Sequence, residues 1–294
     1  MSKRNDRKPV HEPPVFHLVD FSEKAEGNDF YIETLQDHLS KHEFISKPHK
    51  HDFYLILYIT KGGGVHSIDF MDYPVNPGSI FLMTPGQVHS WKLAKGTNGF
   101  ILFFTRAFYQ MQMSENNLMD FPFYHSLHAS PLIKLKKDAV IDFIFSQLLS
   151  EYATSERPDA RLLRTYLDLL LLTLGRQTPD QNETKSHGSS YKLRKLEQLI
   201  EENFKTLKQP AEYGDLMNLS PTYLNNVCKS NLGKTLTQLI QERILLEAKR
   251  LFAYSDLTVN EVSGRLNFND VSYFVRFFRK NSGFTPEAFR KSLQ

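Results

Sequence analysis

The stretch Asn267-Phe-Asn-Asp-Val-Ser-Tyr-Phe-Val-Arg-Phe-Phe-Arg-Lys280 decides the fold of the last third of the chain. Asn269 or Asp270 can cap a helix that continues through Lys280, and the pair Ser282-Gly283 would stop it. One side of this helix is apolar at helical spacing. Its members are Phe274, Phe277 and Phe278, with help expected from Tyr273. The other side is polar and carries Ser272, Arg276, Arg279 and Lys280.

The same design occurs about fifty residues upstream. Ser220 can cap a helix that runs to about Asn231 and stops at Gly233. Its inner side is expected to carry Tyr223, Leu224, Val227 and Cys228, and its outer side Thr222, Asn225, Asn226 and Lys229. A shorter helix precedes each capped helix, and a longer one, roughly Leu236–Phe252, separates the two pairs. The repeat predicts two helix-turn-helix units, in which one helix crosses the DNA backbone and the next enters the major groove.

The outer residues of both capped helices suit nucleic acid. Asparagine bonds bidentately to adenine, arginine reads guanine edges and lysine pairs with phosphate. We therefore predict that double-stranded promoter DNA is contacted by Thr222, Asn225, Asn226, Lys229, Ser272, Arg276, Arg279 and Lys280. Residues 191–294 carry 16 basic and 11 acidic side chains, against 20 and 22 in residues 1–190. This asymmetry agrees with the prediction, although a solvated basic surface would also produce it.

The first hundred residues have the pattern of β-structure. From Phe30 to about Phe104, short β-branched and aromatic runs alternate with turn signals such as Gly62-Gly63-Gly64 and Asn76-Pro77-Gly78. Such regular spacing predicts a barrel or a sandwich. The expected fold class is α+β, with an N-terminal β-barrel, a helical connector and a C-terminal all-α domain.

Four segments are expected along the chain. Residues 1–110 form the barrel after a loose tail of about 28 residues, and 111–176 form a helical connector. The polar stretch 177–190 is a linker, and 191–294 form the DNA-binding domain. The leucine-rich stretch from Leu162 to Leu174 covers more than one helix face, which indicates burial against the barrel or a homodimer seam.

Composition excludes several classes of protein. No apolar run approaches the roughly 20 residues of a membrane span, and the start MSKRNDRKPVHEPP lacks the apolar segment of a signal peptide. The single cysteine, Cys228, excludes a disulfide framework and a cysteine-based zinc site. We therefore expect a cytoplasmic protein with no membrane partner.

Several residue types recur together at fixed spacing in 191–294. They are Ser220-Pro-Thr-Tyr-Leu, Gly233, Arg243, Ala248, Asn267-Phe-Asn-Asp-Val-Ser-Tyr-Phe, Phe278-Arg-Lys, Gly283, Thr285-Pro286 and Phe289-Arg290. Together they resemble the DNA-binding domain of AraC/XylS-type regulators. The resemblance implies two helix-turn-helix units joined by a long helix, successive major grooves as targets, and RNA polymerase as a partner. The glycine usual before Phe268 is Asn267 here, a residue type that also adopts left-handed geometry.

A second set of residues lies in the N-terminal segment. It comprises Lys47-Pro-His49-Lys-His51-Asp-Phe-Tyr, Gly62-Gly-Gly, Pro77-Gly78 and Pro85-Gly86-Gln-Val-His89. This set resembles the cupin sensor domain found in many AraC-type regulators. In metal-dependent cupins the two motifs supply three histidines and a glutamate, and His49, His51 and His89 stand at the histidine positions. The glutamate position falls on Leu55 or Ile56, so we expect neither a metal nor another cofactor.

Three interpretations of these histidines remain open. Three imidazoles could still hold zinc or iron, they could hydrogen-bond barrel turns, or they could line an effector pocket. For the last interpretation the candidate effector-binding residues are His49, His51, Tyr54, His89 and Trp91.

The sequence therefore predicts a ligand-responsive, sequence-specific DNA-binding transcription regulator, an activator with a small-molecule effector. We expect no catalytic residues, because Cys228 belongs to a capped helix and neither G-x-S-x-G nor HExxH occurs. One alternative is a cupin metalloenzyme, an oxygenase or isomerase, with an accessory DNA-binding module. Another is a constitutive regulator whose barrel is only a dimerisation scaffold.

Overall fold

The computed structural model describes residues 13–21, 29–42, 47–111, 118, 121–124, 129–136, 138–154, 158–177 and 187–293. The described residues of 14–185 form one compact unit, and those of 186–294 form another. Of the predicted tail, 1–12 and 22–28 lie outside the described residues, as do 178–186 of the predicted linker.

The strands belong to the first unit. They are β1 (Val15–Phe16), β2 (Phe30–Thr34), β3 (Lys50–His51), β4 (Tyr54–Lys61), β5 (Gly64–Ile68), β6 (Met71–Val75), β7 (Ser79–Met83), β8 (His89–Leu93), β9 (Asn98–Phe104) and β10 (Leu132–Lys134). A five-stranded antiparallel sheet has the order β10-β7-β4-β9-β2, a three-stranded antiparallel sheet has the order β6-β5-β8, and β1 pairs with β3 in parallel. A bridge between His49 and His89 connects the β3 region to the three-stranded sheet.

The central strand β4 is buried on both faces because successive side chains of a strand point to opposite sides. Leu55, Leu57 and Ile59 pack in the barrel interior with residues of the three-stranded sheet, among them Ile68 and Trp91. The alternate residues Tyr54, Ile56 and Tyr58 pack in a second cluster, which also holds residues of the helices. Each fully buried aliphatic side chain contributes about 1.5–3 kcal/mol, so β4 anchors both clusters.

Four α-helices complete the first unit in its described ranges, together with the short 3-10 helices Leu18–Asp20 and Pro122–Tyr124. The α-helices are α1 (Leu35–Lys41), α2 (Arg106–Gln110), α3 (Ala139–Thr154) and α4 (Ala160–Gln177). The predicted burial of the leucine-rich helix is confirmed for one set of its residues. These residues belong to the second cluster, which lies outside the barrel and is called the outer cluster below: Leu163, Leu167, Leu170, Leu171 and Leu174. Leu162, Leu169 and Leu172 of the same helix are 39%, 44% and 49% exposed.

All the regular secondary structure described in the second unit is helical. Its helices are α5 (His187–Asn203), α6 (Pro210–Met217), α7 (Pro221–Leu232), α8 (Leu236–Tyr254), α9 (Val259–Arg265), α10 (Val271–Ser282) and α11 (Pro286–Lys291). No described helix of either unit combines the length and the apolar character that crossing a membrane requires.

The predicted duplication is present in the backbone as well as in the sequence. Residues 221–230 are exposed, half-buried or buried in the same order as residues 271–280. Gly233 and Gly283 end α7 and α10 with φ of 68° and 81°. Asn218 and Asn267 both adopt φ of 53° in the turns that precede these helices. Asparagine tolerates this left-handed geometry better than other residues with a side chain, which explains why Asn267 can replace the usual glycine.

Candidate functional site

The two capped helices begin at the residues that the sequence predicts. The Oγ atom of Ser220 accepts a hydrogen bond from the Tyr223 amide at 3.2 Å, and Oδ1 of Asp270 accepts one from the Tyr273 amide at 2.5 Å. Each contact satisfies a backbone N–H that has no partner within its helix, which fixes where the helix starts. The N-terminal turns of α7 and α10 are therefore defined by local sequence.

The outer face of α10 is exposed and basic. Ser272, Arg276, Arg279 and Lys280 are all exposed, whereas Phe274, Phe277 and Phe278 are buried. Within the part of the chain that the structure describes, Arg276 has no carboxylate partner. Its guanidinium is therefore available to a ligand rather than paired with a neighbouring acidic side chain.

The outer face of α7 is less uniform. Thr222, Asn226 and Lys229 are exposed, as predicted for residues that face DNA. Asn225 is half-buried, and its Oδ1 accepts a hydrogen bond from the Leu236 amide at 3.2 Å. Asn225 therefore serves the start of α8 in this structure, which leaves Asn226 as the exposed asparagine of the pair.

Two tyrosines do not lie where the sequence analysis placed them. Tyr223 and Tyr273 were expected on the buried sides of α7 and α10, but they are 39% and 53% exposed. Each precedes a fully buried residue, Leu224 or Phe274, and neighbouring helical residues differ by about 100° around the axis. Lys192 donates to the Tyr223 hydroxyl at 2.8 Å and lies 4.7 Å from the ring centroid. The exposed Tyr223 hydroxyl and the Lys192 ammonium group beside it are both hydrogen-bond donors of the kind that contact phosphate.

A lysine connects the two helix-turn-helix units directly. Lys208, just before α6, donates through Nζ to the Asn267 carbonyl at 2.7 Å and lies 4.9 Å from the Phe268 ring centroid. Both residues belong to the turn between α9 and α10. The first helix-turn-helix therefore contacts the turn of the second, in addition to their connection through α8.

The three motif histidines come together inside the barrel with a fourth. His49, His51, His66 and His89 are each at most 4% exposed. The Nε2 atoms of His51 and His89 are 2.7 Å apart, and Nε2 of His66 is 2.8 Å from Nδ1 of His89. The ring of Trp91 lies 5.3 Å from that of His89. His66 on β5 is near enough in the motif to join a pocket wall, but only the pairing of β5 with β8 shows that it faces the other histidines.

The hydrogen-bond pattern leaves groups for a ligand. His49 donates through Nδ1 to the Lys47 carbonyl at 2.7 Å, so its Nε2 carries a lone pair. In the chain His51–His89–His66, each contact uses one N–H and one lone pair, so the two ends differ in character. The end atoms, Nδ1 of His51 and of His66, are buried without hydrogen-bond partners in the described chain, as is Nε2 of His49. A molecule with both donors and acceptors could satisfy these atoms.

Burial keeps the imidazoles neutral. It lowers the pKa values of His49, His51 and His89, and it lowers that of His66 to about 3. His38 on α1, whose Nδ1 lies 2.9 Å from the Tyr31 hydroxyl, also has a pKa lowered to about 3 by burial. Neutral imidazole is the form that binds metals and forms tautomer-specific hydrogen bonds.

The arrangement is that of hydrogen-bonded imidazoles rather than of a complete ligand set. His49, His51 and His89 offer nitrogen atoms that lie within 4.8 Å of one another. The 2.7 Å contact, however, is shorter than the roughly 3.3 Å between nitrogens on a tetrahedral zinc ion. Leu55 is fully buried in the barrel interior, and no described carboxylate joins the histidines. An ion would therefore lack both the fourth ligand and the negative charge of metal-dependent cupins.

One candidate effector residue lies elsewhere. Tyr54 belongs to the outer cluster, and its hydroxyl accepts from Nη2 of Arg106 at 3.3 Å. Because Tyr54 and Leu55 are adjacent on β4, they point to opposite faces of the sheet. The structure thus brings together His49, His51, His89 and Trp91 but not Tyr54.

Cys228 has the environment of a core residue. It is buried in α7, and burial raises the pKa of its thiol to about 12. The thiolate, which is the nucleophilic form, is therefore scarce at neutral pH.

Two domain families match the chain, and together they cover most of it. Residues 29–171 match the family described as AraC-like ligand binding domain, and residues 213–292 match the family described as Helix-turn-helix domain. The boundary between the matches agrees with the division into two compact units.

Curated relatives are similar over most of their length. The chain is 25% identical over 254 residues to the HTH-type transcriptional regulator YfiF of Bacillus subtilis (strain 168), covering 82% of this chain and 78% of that protein. It is 21% identical over 286 residues to the HTH-type transcriptional activator RhaS of Escherichia coli O81 (strain ED1a), covering 94% and 97%. Among solved structures, ToxT from Vibrio cholerae aligns over 90% of this chain and 99% of its own, with 13% identity and a TM-score of 0.45.

Proposed function

We propose that this chain, which belongs to the AraC-type transcription regulators, activates transcription from promoter DNA when a small molecule occupies its cupin-like domain. The observation that carries the proposal is the matched pair α7 and α10, whose outer faces present Asn226, Lys229, Arg276, Arg279 and Lys280 to solvent. The relatives are named as HTH-type transcriptional regulators, which favours regulation over the activity of a cupin metalloenzyme.

The spacing of the two helices supports binding to successive major grooves. Helix α8, which separates the two helix-turn-helix pairs, has 19 residues and therefore spans about 28 Å. One turn of B-DNA is roughly 34 Å. In this proposal α7 and α10 enter neighbouring segments of the major groove on one side of the duplex, and RNA polymerase is recruited beside them.

The interior histidines support a polar effector. Buried nitrogens at the ends of the histidine chain lack partners in the described structure, and Trp91 supplies an aromatic wall beside them. A neutral molecule with hydroxyl or amide groups would satisfy donor and acceptor positions at once.

A homodimer is the proposed assembly. Leu162, Leu169 and Leu172 recur on α4 at the spacing of a coiled-coil seam and are exposed. A second copy would cover them with its own equivalent stripe.

The test of the DNA contacts separates base reading from attraction. The full chain is used to enrich a binding site from random duplexes, and Arg276→Ala and Lys280→Ala are then titrated against single-base variants of that site. Arg276→Ala should lose a bidentate guanine contact. This loss should weaken the binding free energy by about 1–3 kcal/mol and relax the base preference at one position of the site. Lys280→Ala should weaken all sequences alike and lower the salt slope by about one unit.

Arg161→Ala is the matched control, because Arg161 is an exposed arginine of the first unit that pairs with Asp159 at 3.7 Å. It should leave affinity and base preference unchanged. Failure of the full chain to enrich any duplex at low salt would refute the proposed function. If both α10 variants lose affinity equally for every site variant, Arg276 does not read a base, although the proposed function would stand.

A further inference from the structure

Helix α4 carries a buried arginine whose charge has no counter-ion among the residues that the structure describes. Arg164 is 5% exposed. Its Nη1 lies 3.9 Å from Sδ of Met111, a weak acceptor, and its Nε has no hydrogen-bond partner. No described carboxylate lies within ion-pair distance of it.

The other buried arginines of the described chain are paired. Nε and Nη2 of Arg243 donate to the two carboxylate oxygens of Glu201 at 2.6 and 2.7 Å. Nη1 of Arg250 lies 3.4 Å from Oε2 of Glu247. Arg164 is therefore the exception among the buried arginines that the structure describes, and the exception requires a physical reason.

An unpaired charge withdrawn from water is destabilising, whereas the same charge beside an anion is not. Arginine offers five N–H donors in a planar fork that matches the two oxygens of a carboxylate or phosphate. We propose that Arg164 binds a small oxyanion, so that the first unit holds an anion-binding site in addition to its barrel interior.

The surroundings of Arg164 suit such a ligand. The Phe108 ring centroid lies 5.1 Å from Cζ and supports one face of the guanidinium. Met111, which follows α2, is 66% exposed, and its flexible thioether can move aside for a stronger acceptor. The acidic residue of α4, Asp168, lies one helical turn after Arg164, and its Oδ1 accepts a hydrogen bond from the Tyr109 hydroxyl at 2.7 Å.

This site is separate from the histidine cluster. The neighbours of Arg164 on α4, Leu163 and Leu167, belong to the cluster outside the barrel, whereas Trp91 belongs to the interior. The same helix carries the exposed residues Leu162, Leu169 and Leu172. Occupation of the arginine would therefore stabilise the helix that we propose as the dimer seam.

The test uses the full chain and the fluorescence of Trp91, the only tryptophan, as a reporter of the first unit. Thermal midpoints are measured with acetate, butyrate or inorganic phosphate, at an ionic strength held constant with sodium chloride. At about ten times the dissociation constant, a bound anion should raise the midpoint by roughly 3–6 °C. Butyrate should act at lower concentration than acetate if apolar walls line the site, and phosphate alone should act if the ligand is a phosphate.

Arg164→Met keeps an unbranched side chain and removes the positive charge. It is compared with the unmodified chain both without and with added anion. Without added anion its midpoint should equal or exceed that of the unmodified chain, because no ion pair is lost. The response to anions should disappear in Arg164→Met, weaken in Arg164→Lys, which lacks the planar fork, and persist in Arg161→Met.

A lower midpoint for Arg164→Met in the absence of anion would show that Arg164 has a partner in the free protein, and would overturn the proposal. So would an anion response that survives in Arg164→Met, or no response of the unmodified chain to any of the three anions. None of these readouts involves DNA, so failure here is distinguishable from failure of the proposed function.

Discussion

Acidification should destabilise the first unit while the protein is still far from general acid denaturation. His38 and His66 have pKa values near 3 because they are buried, whereas an unfolded histidine has a pKa of about 6.5. As pH falls below about 6.5, the unfolded chain binds protons that the folded chain does not, so stability is lost. This contribution is fully present above the unfolded pKa and decreases continuously towards pH 3.

The size of the effect follows from the difference in proton binding. Between about pH 7.5 and pH 5, each of these histidines lowers the free energy of unfolding by about 2 kcal/mol, at 1.36 kcal/mol per pKa unit. The two together remove about 4 kcal/mol, and the lowered pKa values of His49, His51 and His89 act in the same direction. A domain of this size has about 5–15 kcal/mol in total, so the loss is readily measured.

The assay is urea unfolding followed by Trp91 emission in the full chain at a series of pH values. His38→Gln should reduce the loss at pH 5 by about 2 kcal/mol, because one of the two protons is no longer involved. His17→Gln is the control: His17 is exposed, and Asp52 raises its pKa, so its removal should not relieve the acid sensitivity. Equal stability at pH 7.5 and pH 5 would refute the burial of neutral histidines.

Four further outcomes are expected. Elemental analysis of the purified protein should find no stoichiometric zinc, iron or manganese; near one ion per chain, lost in His49→Ala, would contradict the hydrogen-bonded arrangement. Burial raises the pKa of Glu197 to about 8, so stability falls as pH rises from about 4.5 to 8. Glu197→Gln should therefore stabilise the second unit by about 3 kcal/mol at pH 7, measured by far-UV circular dichroism, and no gain would argue against that burial. Leu169→Lys should shift the chain to monomer in sedimentation velocity, and an unchanged species would exclude this seam. Lys208→Met should relax the preference for one spacing between the two halves of the DNA site, and retained spacing preference would show that α8 alone sets it.

The parts of the fold that the sequence predicts well are those decided by local chemistry. Ser220, Asp270, Gly233 and Gly283 mark helix ends through contacts within a few residues, so their roles follow from residue type and position. Helix α1 is local too but was not predicted, because it is short and interrupts a β-rich segment. Its signal is Thr34, whose hydroxyl accepts from the Asp37 amide at 3.1 Å.

Side-chain direction is less predictable when neighbours in space decide it. Tyr54 was grouped with the histidines because it follows them in sequence, but the pleat of β4 sends it to the other face. His66 joins the cluster only because β5 pairs with β8, a contact between distant segments. The absence of a carboxylate beside Arg164 among the described residues is likewise a property of packing, which the leucine-rich sequence around it does not reveal.

The matched helices α7 and α10 have the same geometry but carry different chemistry. Asn226 and Lys229 occupy the positions that Arg276 and Arg279 occupy fifty residues later. If Asn226 reads adenine and Arg276 reads guanine, as proposed, a single chain binds its DNA site in one orientation, because a reversed duplex would place each helix on the bases that suit the other. The order of the two halves of the DNA site would then determine the orientation of the bound protein. It would also determine which side of the protein faces RNA polymerase.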